Sequence, residues 1–292
     1  MPETSGFSVA KERAHETLKA AFESPVNFLD TAASYGDGET ERRIGEVLNE
    51  LGGMPSVYVI STKADRDLST ADFSGEQMRR SVERSLRRLL GMDRLPLVYL
   101  HDPEHASYEE IISPGGAVEV LANLKQEGVI EHLGVTGGPV GLMIRYVETG
   151  TFEAAITHNR YTLINRNAEP LLERAAQLSV PALNAALYGG ILAKGSDAYA
   201  RYAYQEATDK LVETVRKMSR VYREHGVPLA AAALQFSMKD PRVVSTMVGL
   251  SRPERIEQTL ELAAHPVPDE LWSRLEALVP EEQHDPEVSR WT

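Results

Sequence analysis

The chain has 292 residues, no cysteine, and 43 acidic against 31 basic side chains, a formal net charge of −12. The lack of cysteine removes disulfides, iron–sulfur clusters, thiolate zinc sites and a thiol nucleophile, and it fits a reducing, cytoplasmic setting. The charge repels nucleic acid and anionic membranes; with no apolar leader at the N-terminus and no uncharged apolar run of about 18 residues, neither partner is expected.

In chain order, Val9–Glu23 carries apolar residues at helical spacing and is closed by Ser24-Pro25. Short apolar runs then alternate with helical patterns. The runs are Asn27–Thr31, Val57–Thr62, Leu97–Leu100, Leu133–Thr136, Ala154–Thr157, Ala182–Leu187 and Val243–Val248. The helical patterns are Thr40–Leu51, Glu76–Leu90, Ala117–Glu127, Val140–Glu148, Ala168–Leu178, Glu206–Glu224, Leu229–Met238, Pro253–Ala264 and Asp269–Leu278. Within the second of these, Arg79, Arg80, Arg84, Arg87 and Arg88 read as a solvated helix face. Runs apolar on both faces and separated by helices imply parallel βαβ units. With no composition break or low-complexity linker, the expectation is one α/β domain over residues 1–292, a (β/α)8 TIM-type barrel. Seven runs are too few for eight strands, and MPETSGF at the start has little β character. The first strand is therefore expected to be missing or irregular.

Active sites of such barrels sit at the C-terminal ends of the strands. Asp30 ends the first run, Lys63 the second and His101 the third, and Tyr35 follows the first strand just before Gly36-Asp37-Gly38 breaks the backbone. Taken singly, a strand-end lysine commonly snorkels to solvent and a lone histidine is commonly structural. Together at three successive strand ends they make an acid/base set. A free phenol has a pKa of about 10, and an adjacent Lys63 ammonium is expected to bring Tyr35 down. Asp30 would keep Lys63 charged, and His101 would orient a carbonyl or hydroxyl oxygen toward Tyr35. Nothing in the set is a metal cluster, so the chemistry it suits is proton transfer to an oxygen whose carbon gains or loses a hydride, with the hydride carried by a cofactor.

The motifs NFLDTAASYGDGETERRIG, YLHD, HLGVTG, RYTLINR and STMVGLSRPERIEQT together resemble the aldo-keto reductase family, and RYTLINR with NAALYGGILAKG resembles its bacterial L-fucose or D-threo-aldose dehydrogenase and pyridoxal dehydrogenase branch. The resemblance implies a (β/α)8 barrel that binds NADP or NAD without a Rossmann glycine fingerprint, and none occurs here. It implies a catalytic tetrad of Asp30, Tyr35, Lys63 and His101. For the nicotinamide it implies Thr136, with Gly137 in place of the family's usual Asn, Asn159 near the amide, and Tyr188 stacked on the ring. For the phosphates and adenine it implies Gly249, Ser251, Arg255 and Gln258, where Pro253 opens a helix whose N-terminus favours anions. The lysine common in that segment is absent.

The expected activity is NAD(P)-dependent interconversion of a carbonyl and an alcohol, or oxidation of a sugar hemiacetal, on a small polar carbonyl or sugar substrate that Asp102 and His158 could also contact. Two other readings are a cofactor-binding regulatory protein with little turnover and a lyase that forms a Schiff base on Lys63. Sequence leaves the oligomeric state undetermined.

Overall fold

A computed structural model describes residues 9–280; the MPETSGF segment lies outside them. The elements run α1 (Lys11–Glu23), β1 (Phe28–Asp30), α2 (Glu39–Leu51), β2 (Val59–Ala64), α3 (Gly75–Arg88), β3 (Leu95–His101), α4 (Tyr108–Ile112), α5 (Ala117–Gln126), β4 (Ile130–Thr136), α6 (Val140–Glu148), β5 (Ala154–His158), α7 (Glu169–Gln177), β6 (Ala182–Ala185), α8 (Ile191–Lys194), β7 (Arg201–Tyr202), β8 (Gln205–Glu206), α9 (Asp209–Glu224), α10 (Leu229–Lys239), β9 (Val243–Met247), α11 (Glu254–Ala264) and α12 (Asp269–Glu276). Among the described residues no helix is long and apolar enough to cross a membrane.

The chain forms two compact units. In the first, β1 to β4 are parallel neighbours, with Asp30 opposite Ser61, Lys63 opposite Tyr99, and His101 opposite Thr136. Helices α2, α3 and α5 bury Ile44, Val47, Met78, Val82, Leu121 and Leu124 around strand residues Ile60, Val98, Leu100 and Leu133. Gly134 on β4 lies under Tyr99, whose ring would stand 2.4 Å from any Cβ there, so only glycine fits. In the second unit β5, β6 and β9 are parallel, with a core of Leu187, Ile191, Met218, Tyr222, the Ala231–Ala233 run and Leu271. Parallel strands alternating with helices make this the (β/α)8 barrel class, with seven barrel strands among the described residues.

The differences from expectation have local causes. β6 stops at Ala185 because Ala186 turns left-handed, with φ of 53°. The helix expected from Glu206 begins at Asp209, with the Thr208 hydroxyl accepting from the Leu211 N–H. Ahead of it β7 and β8 form a hairpin whose two turn residues, Ala203 and Tyr204, both have positive φ. That two-residue geometry ordinarily carries Asn-Gly, so the sequence gives no sign of it. The arginine series of α3 is solvated only in part. Arg79 and Arg80 are exposed and paired with acidic side chains, whereas Arg88 turns inward to Glu41 at 3.1 Å and the Ala33 carbonyl at 3.0 Å.

Candidate active site

All four acid/base groups sit in the first unit, at or just past the ends of β1, β2 and β3. Pairing continues beyond β1, with Thr31 N–H donating to the Ser61 carbonyl and Ala33 N–H to that of Lys63. The chain then enters a short 3-10 turn at Tyr35, and Gly36, Asp37 and Gly38 all take positive φ. A side chain at Gly38 would collide with the Arg88 guanidinium at 2.0 Å. Arg88 and buried Glu41, which also accepts from the Thr62 hydroxyl at 2.6 Å, fix the turn that presents Tyr35.

Lys63 is only 3% exposed. Its ammonium pairs with Asp30, donates to the Thr31 carbonyl at 2.7 Å and lies 4.7 Å from the Tyr35 ring centre. Asp30 in turn accepts from the Ser61 hydroxyl at 2.7 Å. Burial pulls Lys63 down; the Asp30 carboxylate, with Tyr35 behind it, reverses this and holds the lysine above its ordinary value. Tyr35 departs from expectation. Although the residue as a whole stays 36% exposed, desolvation pushes the phenol up, and the opposing Lys63 ammonium does not overcome it.

The His101 ring stands edge-on to Tyr35, with centroids 6.0 Å apart. Its Nδ1 is 2.5 Å from Asp65 Oδ1 and its Nε2 is 3.7 Å from Asp102 Oδ2. Burial disfavours the imidazolium, but Asp65 and Asp102 together raise His101 above its ordinary value. Burial would raise Asp65 as well; the facing His101 and the bond from Ser34 hold it low. Asp65 and Ser61 escaped the sequence reading, and the missed signal is period two: residues 61, 63 and 65 share one face of the β2 run.

Of the expected cofactor residues, Thr136 ends β4, buried, opposite His101, and buried Gly137 follows it. In the second unit Asn159 is buried with φ of 57°, and its carbonyl accepts from the Tyr202 hydroxyl of the unforeseen hairpin at 2.5 Å. Tyr188 is half-buried against the core of that unit. RYTLINR braces the same unit, with Tyr161 bonded to Asp240 and Arg166 stacked on Phe236 and paired with Glu276. Beyond β9, Gly249 and Ser251 are exposed and Arg255 is half-buried in the first turn of α11, with Gln258 exposed one turn on. A hydroxyl and the guanidiniums of Arg252 and Arg255 around a helix N-terminus are donors suited to phosphate oxygens, and a Cβ at Gly249 would meet nothing within 4 Å. This donor set fits phosphate groups.

A parallel β/α barrel with these groups at its strand ends defines a class, and comparison assigns it: residues 3–280 match the aldo/keto reductase family, and the chain belongs to that family of NAD(P)-dependent oxidoreductases. It is similar to D-threo-aldose 1-dehydrogenase of a Pseudomonas species, at 30% identity over 92% of this chain and 88% of that one. It is also similar to L-galactose dehydrogenase of Arabidopsis thaliana, at 28% over 93% and 85%, and to pyridoxal 4-dehydrogenase of Microbacterium luteolum, at 26% over 91% and 88%. The fold matches that of aldo-keto reductase AKR11C1 from Bacillus halodurans in its holo form, with a TM-score of 0.78 over 95% of this chain and 91% of that one at 21% identity.

Proposed function

We propose that the chain, as one barrel domain over residues 1–292, oxidises or reduces a small polar substrate, an aldose or a pyridoxal-like carbonyl, with Tyr35 as the general acid and base. The observation that carries this reading is the buried Lys63–Asp30 pair, whose ammonium lies 4.7 Å from the Tyr35 ring centre. A nicotinamide cofactor, NADP or NAD, supplies or accepts the hydride. In reduction Tyr35 donates its proton to the carbonyl oxygen, and the Lys63 ammonium stabilises the phenolate left behind. In oxidation the phenolate takes the hydroxyl proton back. Asp30 keeps Lys63 charged through both, and His101 directs the substrate oxygen to Tyr35. For the cofactor, Thr136 and Asn159 would serve the carboxamide, with Gly137 beside them bringing no side chain, Tyr188 would serve the ring, and Gly249, Ser251, Arg255 and Gln258 the phosphate and adenine end, with Arg255 suited to a 2′-phosphate.

Sugar and pyridoxal dehydrogenases among the relatives support the substrate class. A Schiff-base role for Lys63 is not favoured, because an ammonium held by Asp30 is no nucleophile. The test is steady-state turnover with NAD and NADP over a panel of aldoses, pyridoxal and simple aldehydes. Tyr35→Phe should lower kcat by at least about 10²–10⁴-fold and leave cofactor affinity nearly unchanged; near-native turnover by this variant would refute the role.

A further inference from the structure

His101 is not a lone imidazole. Asp65 Oδ1 faces its Nδ1 at 2.5 Å, while Asp65 Oδ2 accepts the Ser34 backbone N–H at 2.8 Å, one residue before Tyr35. The carboxylate is itself held in place. Its backbone N–H donates to the Ser81 hydroxyl at 3.0 Å, and its carbonyl accepts from the Gln77 side chain at 2.9 Å, both on α3. One carboxylate, 5% exposed, thus fixes the histidine ring and the start of the tyrosine turn together. On the other edge Asp102 Oδ2 stands 3.7 Å from Nε2. At that distance it attracts a positive ring without capturing its N–H in a hydrogen bond.

Resting on the reading of Tyr35 as the proton donor, we infer that Asp65 is a positioning residue that, with Asp102, holds His101 as an imidazolium whose Nε2–H is a second donor to the substrate oxygen. A neutral ring with its proton on Nδ1 would also satisfy Asp65, but it would offer the substrate a lone pair at Nε2 instead of a proton. The charge state therefore decides whether His101 donates or accepts. The charged groups around the ring are Asp65 beyond β2, Lys63 on β2 and Asp102 on its own strand end, with the Tyr35 phenol facing it from the turn after β1. Two carboxylates against one ammonium favour the cation. In reduction the two donors share the negative charge developing on oxygen. In oxidation an imidazolium has no lone pair to compete with the tyrosinate for the hydroxyl proton.

The experiment is an NMR titration of His101 in the full chain, its signal assigned by loss in His101→Asn, beside pH profiles of kcat/KM for the native protein, Asp65→Asn and Asp65→Glu. The native ring should carry protons on both nitrogens at pH 7. In Asp65→Asn its midpoint should fall by about one pH unit or more, and the alkaline limb of kcat/KM should fall with it while cofactor affinity is unchanged. Asp65→Glu should recover part of the shift, where a loss of mere packing would move neither titration nor limb. A native ring neutral at pH 7, or an unmoved midpoint in Asp65→Asn, overturns the inference; if Asp65→Asn does not fold, the native titration and Asp65→Glu decide. Turnover retained in Tyr35→Phe while the His101 midpoint responds to Asp65 would instead refute the reading beneath it.

Discussion

Two ion pairs behave differently as pH changes. Asp65 is held below its ordinary value, so its contribution to stability is present above about pH 4 and lost as pH falls through the folded value. His101 is raised, so its contribution is full below about pH 6.5 and lost as pH rises through the folded value. The pair stabilises most between those limits. Urea unfolding at pH 6 and pH 9 should show an alkaline loss in the native chain that is smaller in Asp65→Asn. The Lys63–Asp30 pair holds through that range, because Lys63 is raised above an already high ordinary value. Lys63→Met leaves the Asp30 carboxylate without its cation and should cost about 3–5 kcal/mol. Adding Asp30→Asn should recover much of the loss without restoring turnover, which denaturant melts and initial rates would separate. Asp30, Lys63 and His101 were legible as strand-end residues, because polar groups stand out where an apolar run stops. Asp65 was not, since it reads as loop polarity unless the strand's alternation is carried past its last hydrogen-bonded residue.

Among the elements, the turn carrying Tyr35 depends on a side chain from α3. Arg88 bonds to the Ala33 carbonyl and to buried Glu41, and fills the space a Gly38 side chain would need. Arg88→Ala leaves Glu41 a buried charge held only by the Thr62 hydroxyl among the side-chain bonds described. It should destabilise the chain by about 3 kcal/mol and lower kcat more than it raises KM, read from melts and rate profiles side by side. Helical periodicity places Arg88 on α3 but not its direction, because a guanidinium can follow solvent or reach inward with equal ease. The β7–β8 hairpin was hidden for another reason. Its turn residues, Ala203 and Tyr204, adopt positive φ without the glycine or asparagine that marks such turns, and the Tyr202 bond that seats Asn159 is a contact between segments far apart in sequence.

For the whole molecule, the parallel β/α class followed from alternation, since an apolar run between helices can belong to little besides a parallel sheet. A net charge of −12 adds self-repulsion that opposes compactness. Raising sodium chloride from about 10 to 150 mM shortens the Debye length from about 30 to 8 Å, so the melting temperature by calorimetry should rise by about 2–4 °C for each kcal/mol of repulsion screened.

The acid/base groups, from Asp30 through Lys63 and Asp65 to His101, all fall within one uninterrupted stretch spanning the first three strands. Grafted as a block into a relative, that stretch should bring its pH profile along, which rate profiles of chimeras cut at the loops after α1 and α4 would read.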